Sequence, residues 1–101
     1  FELAKHAGEI GVDGISSIPP FVGGVSPAET LEYYRTLAAS SSAPVVGYYI
    51  PGLTGGGWSI ERMCEVLKLD NVIGFKFTHT DLYMLERVMS HVGREKVVYF
   101  G

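Results

Sequence analysis

The chain has 101 residues, enough for one modest domain and too few for two. It is 47% hydrophobic and 19% charged, with a net charge of −3, which excludes a disordered chain. Its eight basic residues are scattered and leave no footprint for nucleic acid.

From the start, Leu3, Ala4, Ala7 and Ile10 follow helical spacing. A first strand is predicted over Gly14–Ile18. Ser26-Pro27-Ala28-Glu29 has a capping Ser, a Pro at the first helical position and a Glu three residues on, the signature of a capping box. The helix it opens carries Leu31, Tyr34, Leu37 and Ala38 on one stripe. A second strand is predicted over Val45–Ile50, followed by the glycine-rich stretch Gly52-Leu53-Thr54-Gly55-Gly56-Gly57, which is expected to be a flexible loop. That stretch matches neither GxGxxG nor GxxxxGK[ST], so it is a weak phosphate cradle. Ser59 is placed to cap a third helix bearing Ile60, Met63, Val66 and Leu67. A third strand over Val72–Phe77 leads to a fourth helix. Thr80 is expected to cap it, Asp81 to complement its dipole and Gly93 to stop it. Lys96–Phe100 reads as a fourth strand.

The strict alternation predicts βαβ units, right-handed crossovers and a parallel sheet, compatible with a doubly wound sheet or a (β/α)8 barrel. Both place functional groups at the C-terminal ends of the strands. The near-continuous apolar runs predict strands buried on both faces. The chain begins inside a helix and ends directly after a strand, so it reads as part of a longer protein. Residues 1–101 are then one partial α/β domain, truncated at both ends, which the resemblance given below implies to be part of a barrel.

Lys76 is the leading candidate for chemistry. Alternation puts Gly74, Lys76 and Thr78 on one face of the third strand and Ile73, Phe75 and Phe77 on the other. The bulky face suits helices, and the Gly-Lys-Thr face then points into a pocket or barrel interior. Burial disfavours an ammonium and supplies the neutral amine that attacks a carbonyl. A strand-end lysine reaching solvent or an ion pair fits the same pattern. One of Tyr48 and Tyr49 must face inward, and alternation does not choose between them. A phenol beside such a lysine can relay protons, or it can be a core tyrosine with a satisfied hydroxyl. His79 and Asp81 stand two apart, a poor metal site, and His6 and His91 have no ligand spacing, so no metal is assigned. Cys64 has no internal disulfide partner, which fits a reducing, cytoplasmic compartment, and its helical position suits packing. No apolar run approaches the ~20 residues that span a bilayer.

Tyr48-Tyr49-Ile50-Pro51-Gly52-Leu53-Thr54-Gly55, followed by Gly74-Phe75-Lys76-Phe77-Thr78-His79-Thr80-Asp81-Leu82-Tyr83, resembles the N-acetylneuraminate lyase family. That family groups with dihydrodipicolinate synthase among the pyruvate-dependent class I aldolases. The resemblance runs from Leu3 to Gly101. It implies a (β/α)8 TIM barrel, of which this chain would supply about half, strands four to seven with their helices. It implies that Lys76 forms a Schiff base with pyruvate or the open-chain sugar acid, and that Tyr48 shuttles the proton. Thr78 would contact the sugar portion, and Gly101 would line the polyol end. No cofactor beyond the covalent lysine adduct is implied. The partners would be a 2-keto sugar acid and pyruvate, and the intact enzyme would be a homotetramer. Leu53 stands where the synthases usually carry an arginine, and Phe77-Thr78 stands where they often have Glu-Ala; both point to the lyase. Many members have a tyrosine after the Pro20-Phe21 position that reaches a neighbouring subunit's site, and this chain has Val22 there. A sister 2-keto acid aldolase is the alternative activity. The chain by itself would be a non-catalytic half barrel with two open strand edges.

Overall fold

The computed structural model describes residues 1–21 and 26–101, so Val22 lies outside the described residues. Four parallel strands form one sheet in sequential order: β1 (Ile15–Ser17), β2 (Val45–Tyr49), β3 (Val72–Phe77) and β4 (Val97–Phe100). The helices are α1 (Glu2–Glu9), which precedes β1, and α2 (Pro27–Ser40), α3 (Pro51–Thr54), α4 (Ile60–Leu67) and α5 (Leu82–Val92) between the strands.

The capping box forms as its sequence predicts: the Glu29 N–H donates to Ser26 Oγ, and the Ser26 N–H donates to Glu29 Oε2. Ser59 caps α4 through the Arg62 N–H. The cap of α5 is Asp81, whose carboxylate accepts from the Met84 N–H, rather than Thr80. A carboxylate satisfies an orphan donor and the helix dipole together, which a hydroxyl does less well. Gly93 ends α5 at φ 79°, where a Cβ would be strained. Pro51–Thr54 is a single helical turn rather than loop, opened by the proline and closed by Gly55 in the left-handed region.

The helices gather on one face of the sheet, with α2 against β2 and α4 against β3. The core between sheet and helices holds Val45, Tyr49, Val72, Phe75 and Phe77 from the strands, with Tyr34, Leu37, Met63, Val66, Leu67 and Val88 from the helices. Cys64 is buried among them as packing, and burial raises its thiol pKa. Within this chain the strands are buried on the helix-packed face. On β2 burial alternates with half-exposure, and β4 is largely exposed. The apolar side chains that suggested double burial are divided between a helix-packed face and an open one.

The face assigned to Ile73 is also corrected. The register slips at the start of β3: Val45 pairs with Val72, but Val46 pairs with Gly74. The extra residue breaks the two-residue period, so Val72 joins Phe75 and Phe77 in the core, and Ile73 is left 37% exposed. From Gly74 onward the ladder is regular. A Cβ on Gly47 would strike the Phe75 ring of its register partner, so only glycine lets that ring lie over β2.

The turn entering β3 is held by Asn71 at φ 66°. Its Nδ2 donates to the carbonyls of Ala38, Ser41 and Ala43 at 3.1, 3.0 and 2.9 Å. One amide thus satisfies carbonyls left over at the C-terminal end of α2 and ties that helix to the strand.

Candidate functional site

The regular part of the ladder decides which side chains meet. Tyr48 of β2 is in register with Lys76 of β3, and Lys76 is in register with Tyr99 of β4. Parallel partners project to the same side of a sheet. All three therefore occupy the face opposite the helices, while Tyr49, in register with Phe77, enters the core. The choice between the two tyrosines falls on Tyr48. Tyr49 packs against Trp58 and Phe77, and its hydroxyl accepts the Trp58 N–H at 3.3 Å.

Lys76 is half-buried, and its Nζ lies 4.5 Å from the centroid of the Tyr48 ring. The Tyr48 phenol is held below its ordinary pKa. The main cause is the Lys76 amine as a donor toward the phenol oxygen, followed by the Thr78 hydroxyl. The Lys76 charge adds a smaller pull, and partial desolvation opposes all three. The Thr78 contact is loose, because its Oγ1 is buried and has no hydrogen-bond partner. Gly101 also reaches the lysine: a Cβ there would stand 3.0 Å from Lys76 Cε and 3.8 Å from Nζ.

Beyond the strand ends the backbone ladder continues on the β3 and β4 side. The Thr78 N–H donates to the Tyr49 carbonyl at 2.9 Å, and the Gly101 N–H donates to the Phe77 carbonyl at 3.3 Å. Past these bonds lies an open cavity of about 580 Å³, lined by Ile50, Leu53, Thr78, His79, Phe100 and Gly101 among others. A second hollow of about 280 Å³ lies beside Lys76, between Ile15, Ser16, Val46 and Tyr99. Lys76, Tyr48, Thr78 and Gly101 are thus brought together, with Leu53 on the rim of the larger cavity. His79 packs edge-on to Tyr49 and Asp81 caps α5, so the two are separately occupied.

Sequence reasoning missed two tyrosines here. Tyr99 shares the lysine face, and alternation from Val97 would have found it once the sheet was known to be parallel. Tyr34, assigned only to a helical stripe, touches β1 and β2 through its hydroxyl, and no sequence period announces that bond.

The chain also has relatives that can be compared. The family model described as "Dihydrodipicolinate synthetase family" matches residues 1–101. An N-acetylneuraminate lyase from Clostridium perfringens is 39% identical over 100 residues, covering 99% of this chain and 34% of that protein. The crystal structure of CdNal from Clostridium difficile, in complex with mannosamine, is 35% identical with a TM-score of 0.91, and covers 99% of this chain and 34% of that one. YagE, a prophage protein of E. coli K12 solved in complex with pyruvate, is 30% identical with a TM-score of 0.85, over 99% of this chain and 35% of its own. The chain spans about a third of the length of the curated relatives it matches. Its four parallel strands correspond to about a third of a TIM-barrel structure.

Proposed function

This chain belongs to the dihydrodipicolinate synthetase family, a family of pyruvate-dependent class I aldolases and lyases, and from that premise we propose that the full-length enzyme carrying it reversibly cleaves N-acetylneuraminate to N-acetylmannosamine and pyruvate. One observation carries the reading: Tyr48 and Lys76 are register partners on the open face of a parallel sheet, with the amine 4.5 Å from the phenol ring centroid.

In this mechanism the Lys76 Nζ attacks the C2 ketone of the open-chain sugar acid, and loss of water gives an iminium. Tyr48 takes the proton from the C4 hydroxyl, directly or through the substrate carboxylate, and the C3–C4 bond breaks. Its electron pair enters the iminium to form an enamine, and the sugar aldehyde departs. Protonation of the enamine at C3 and hydrolysis release pyruvate and restore the amine. A phenol whose pKa is held down by a neighbouring amine is suited to passing that proton in both directions. Thr78 contacts the sugar portion from the wall of the larger cavity. The Gly101 backbone lines the polyol end. The four strands serve as the fourth to seventh of the barrel, and the intact enzyme is a cytoplasmic homotetramer.

The reading is tested by borohydride reduction of the full-length protein with pyruvate, followed by peptide mass spectrometry. A pyruvate-derived mass on the peptide containing Lys76, absent in Lys76→Ala, is the expected result. A folded protein without that adduct would remove the aldolase reading.

The exposure of Val97, Tyr99 and Phe100 on β4 favours a second statement about the chain alone. With these side chains and a strand edge uncovered, it self-associates and does not turn over substrate. A monomeric peak in size-exclusion chromatography would contradict this.

A further inference from the structure

Tyr34 is fully buried on α2, and its ring is fixed edge-on to Tyr33, Trp58 and Phe75 with centroids 5.3, 5.7 and 6.1 Å away. Its hydroxyl donates to the Ser17 carbonyl at 2.7 Å and accepts the Tyr48 N–H at 3.1 Å. The bridge spans a gap in the sheet. The β1–β2 register ends at Ser17 and Gly47, and Pro19 and Pro20, just downstream on the β1 side, have no N–H to offer. On the β3 side, by contrast, a further backbone bond runs from the Thr78 N–H to the Tyr49 carbonyl. At Tyr48, therefore, one flank of β2 is held by the ladder and the other by a single phenol. Burial raises the Tyr34 pKa, which keeps its proton in place to be donated.

We infer that Tyr34 is a positioning residue: by bridging Ser17 and Tyr48 it fixes the β2 backbone where the Tyr48 side chain leaves it, and so holds that phenol opposite Lys76. Phenylalanine can fill the same space but can make neither bond. The inference rests on the reading that Tyr48 moves the proton.

The test uses Tyr34→Phe in the full-length enzyme, with turnover expressed per Lys76 that borohydride can trap with pyruvate. Trapping at wild-type extent is expected, with kcat per trappable lysine lowered about tenfold or more and KM for N-acetylneuraminate little changed. Tyr33→Phe loses a bond to Ser17 Oγ but none to Tyr48 and is expected to leave kcat unchanged. Wild-type kcat per trappable lysine in Tyr34→Phe, whatever its thermal stability, would overturn the inference. If that variant does not fold, 3-fluorotyrosine at position 34 keeps the shape and weakens the hydroxyl as an acceptor. A lowered kcat then supports positioning, and an unchanged one overturns it. Trapping is read first on the wild type; its absence there would bring down the Schiff-base reading and this inference with it, a result distinct from any effect of the variant.

Discussion

Gly101 stands against Lys76 so closely that a single added methyl would sit 3.0 Å from the lysine Cε. The neighbour is the far end of a flexible side chain, so the fold can accept alanine by moving the lysine. The amine, however, then leaves its place over Tyr48. Gly101→Ala is expected to fold normally and to slow borohydride trapping of pyruvate about tenfold or more. Trapping at the wild-type rate would mean that the amine has room to spare.

Tyr48 offers a prediction in pH. A donor and positive charge beside a phenol favour its anion, so the pKa lies below the ordinary value. Removing the cation in Lys76→Met is expected to move the Tyr48 ionisation to higher pH. Phenolate absorbance reads this, with Tyr48→Phe subtracted. Thr78→Val should shift it the same way by less, since Thr78 is the second cause. A depressed phenol adds its full folding stability above its unfolded pKa of about 10 and has lost it once pH falls through the folded value. At neutral pH the shift is therefore expected in reactivity, with no change in the unfolding midpoint.

Asn71 supports the fold away from the site. Asn71→Ala leaves three carbonyls without their shared donor and puts at φ 66° a residue that lacks the polar side chain by which asparagine tolerates the left-handed region. A loss of about 2–4 kcal/mol in urea unfolding is expected. Asn71→Gly keeps the backbone conformation while losing the same bonds and should cost about 1 kcal/mol less. Equal losses in the two variants would show that the conformation contributes nothing.

Leu53 lies on the cavity rim, half-exposed, and an arginine in its place would offer the cavity a guanidinium suited to pairing with a carboxylate. Leu53→Arg is expected to shift the aldehyde preference of the full-length enzyme toward an acid-bearing acceptor by about tenfold, read as a ratio of kcat/KM values. No shift would remove Leu53 as a reason to prefer the sialic acid reaction over a sister aldolase.

The bounds of β3 were readable because its run, Val72–Phe77, is apolar and sharply flanked. The caps at Ser26 and Ser59 were readable because serine with a following helical stripe has one efficient use. The pairing of Lys76 with Tyr48 was only half readable. Alternation ordered each strand but could not fix the register between them, which depends on the Phe75 ring lying over Gly47. The fate of Ile73 was hidden for the same reason, since a slip in pairing belongs to two strands and not to one. Tyr34 and Asn71 were illegible as organisers. Each acts through a polar atom on segments distant in sequence, and neither leaves a period in its own neighbourhood.

The slip at Ile73 also divides β3 mechanically. Val72 and Lys76 are four residues apart and in an unbroken strand would share a side; here one is in the core and the other on the open face. The turn at Asn71 anchors the upstream piece, and the Phe75–Gly47 contact anchors the downstream one. Ile73, between the two anchors, is where the strand changes sides, so the core-facing start of β3 and the amine-bearing end are each set by their own contacts.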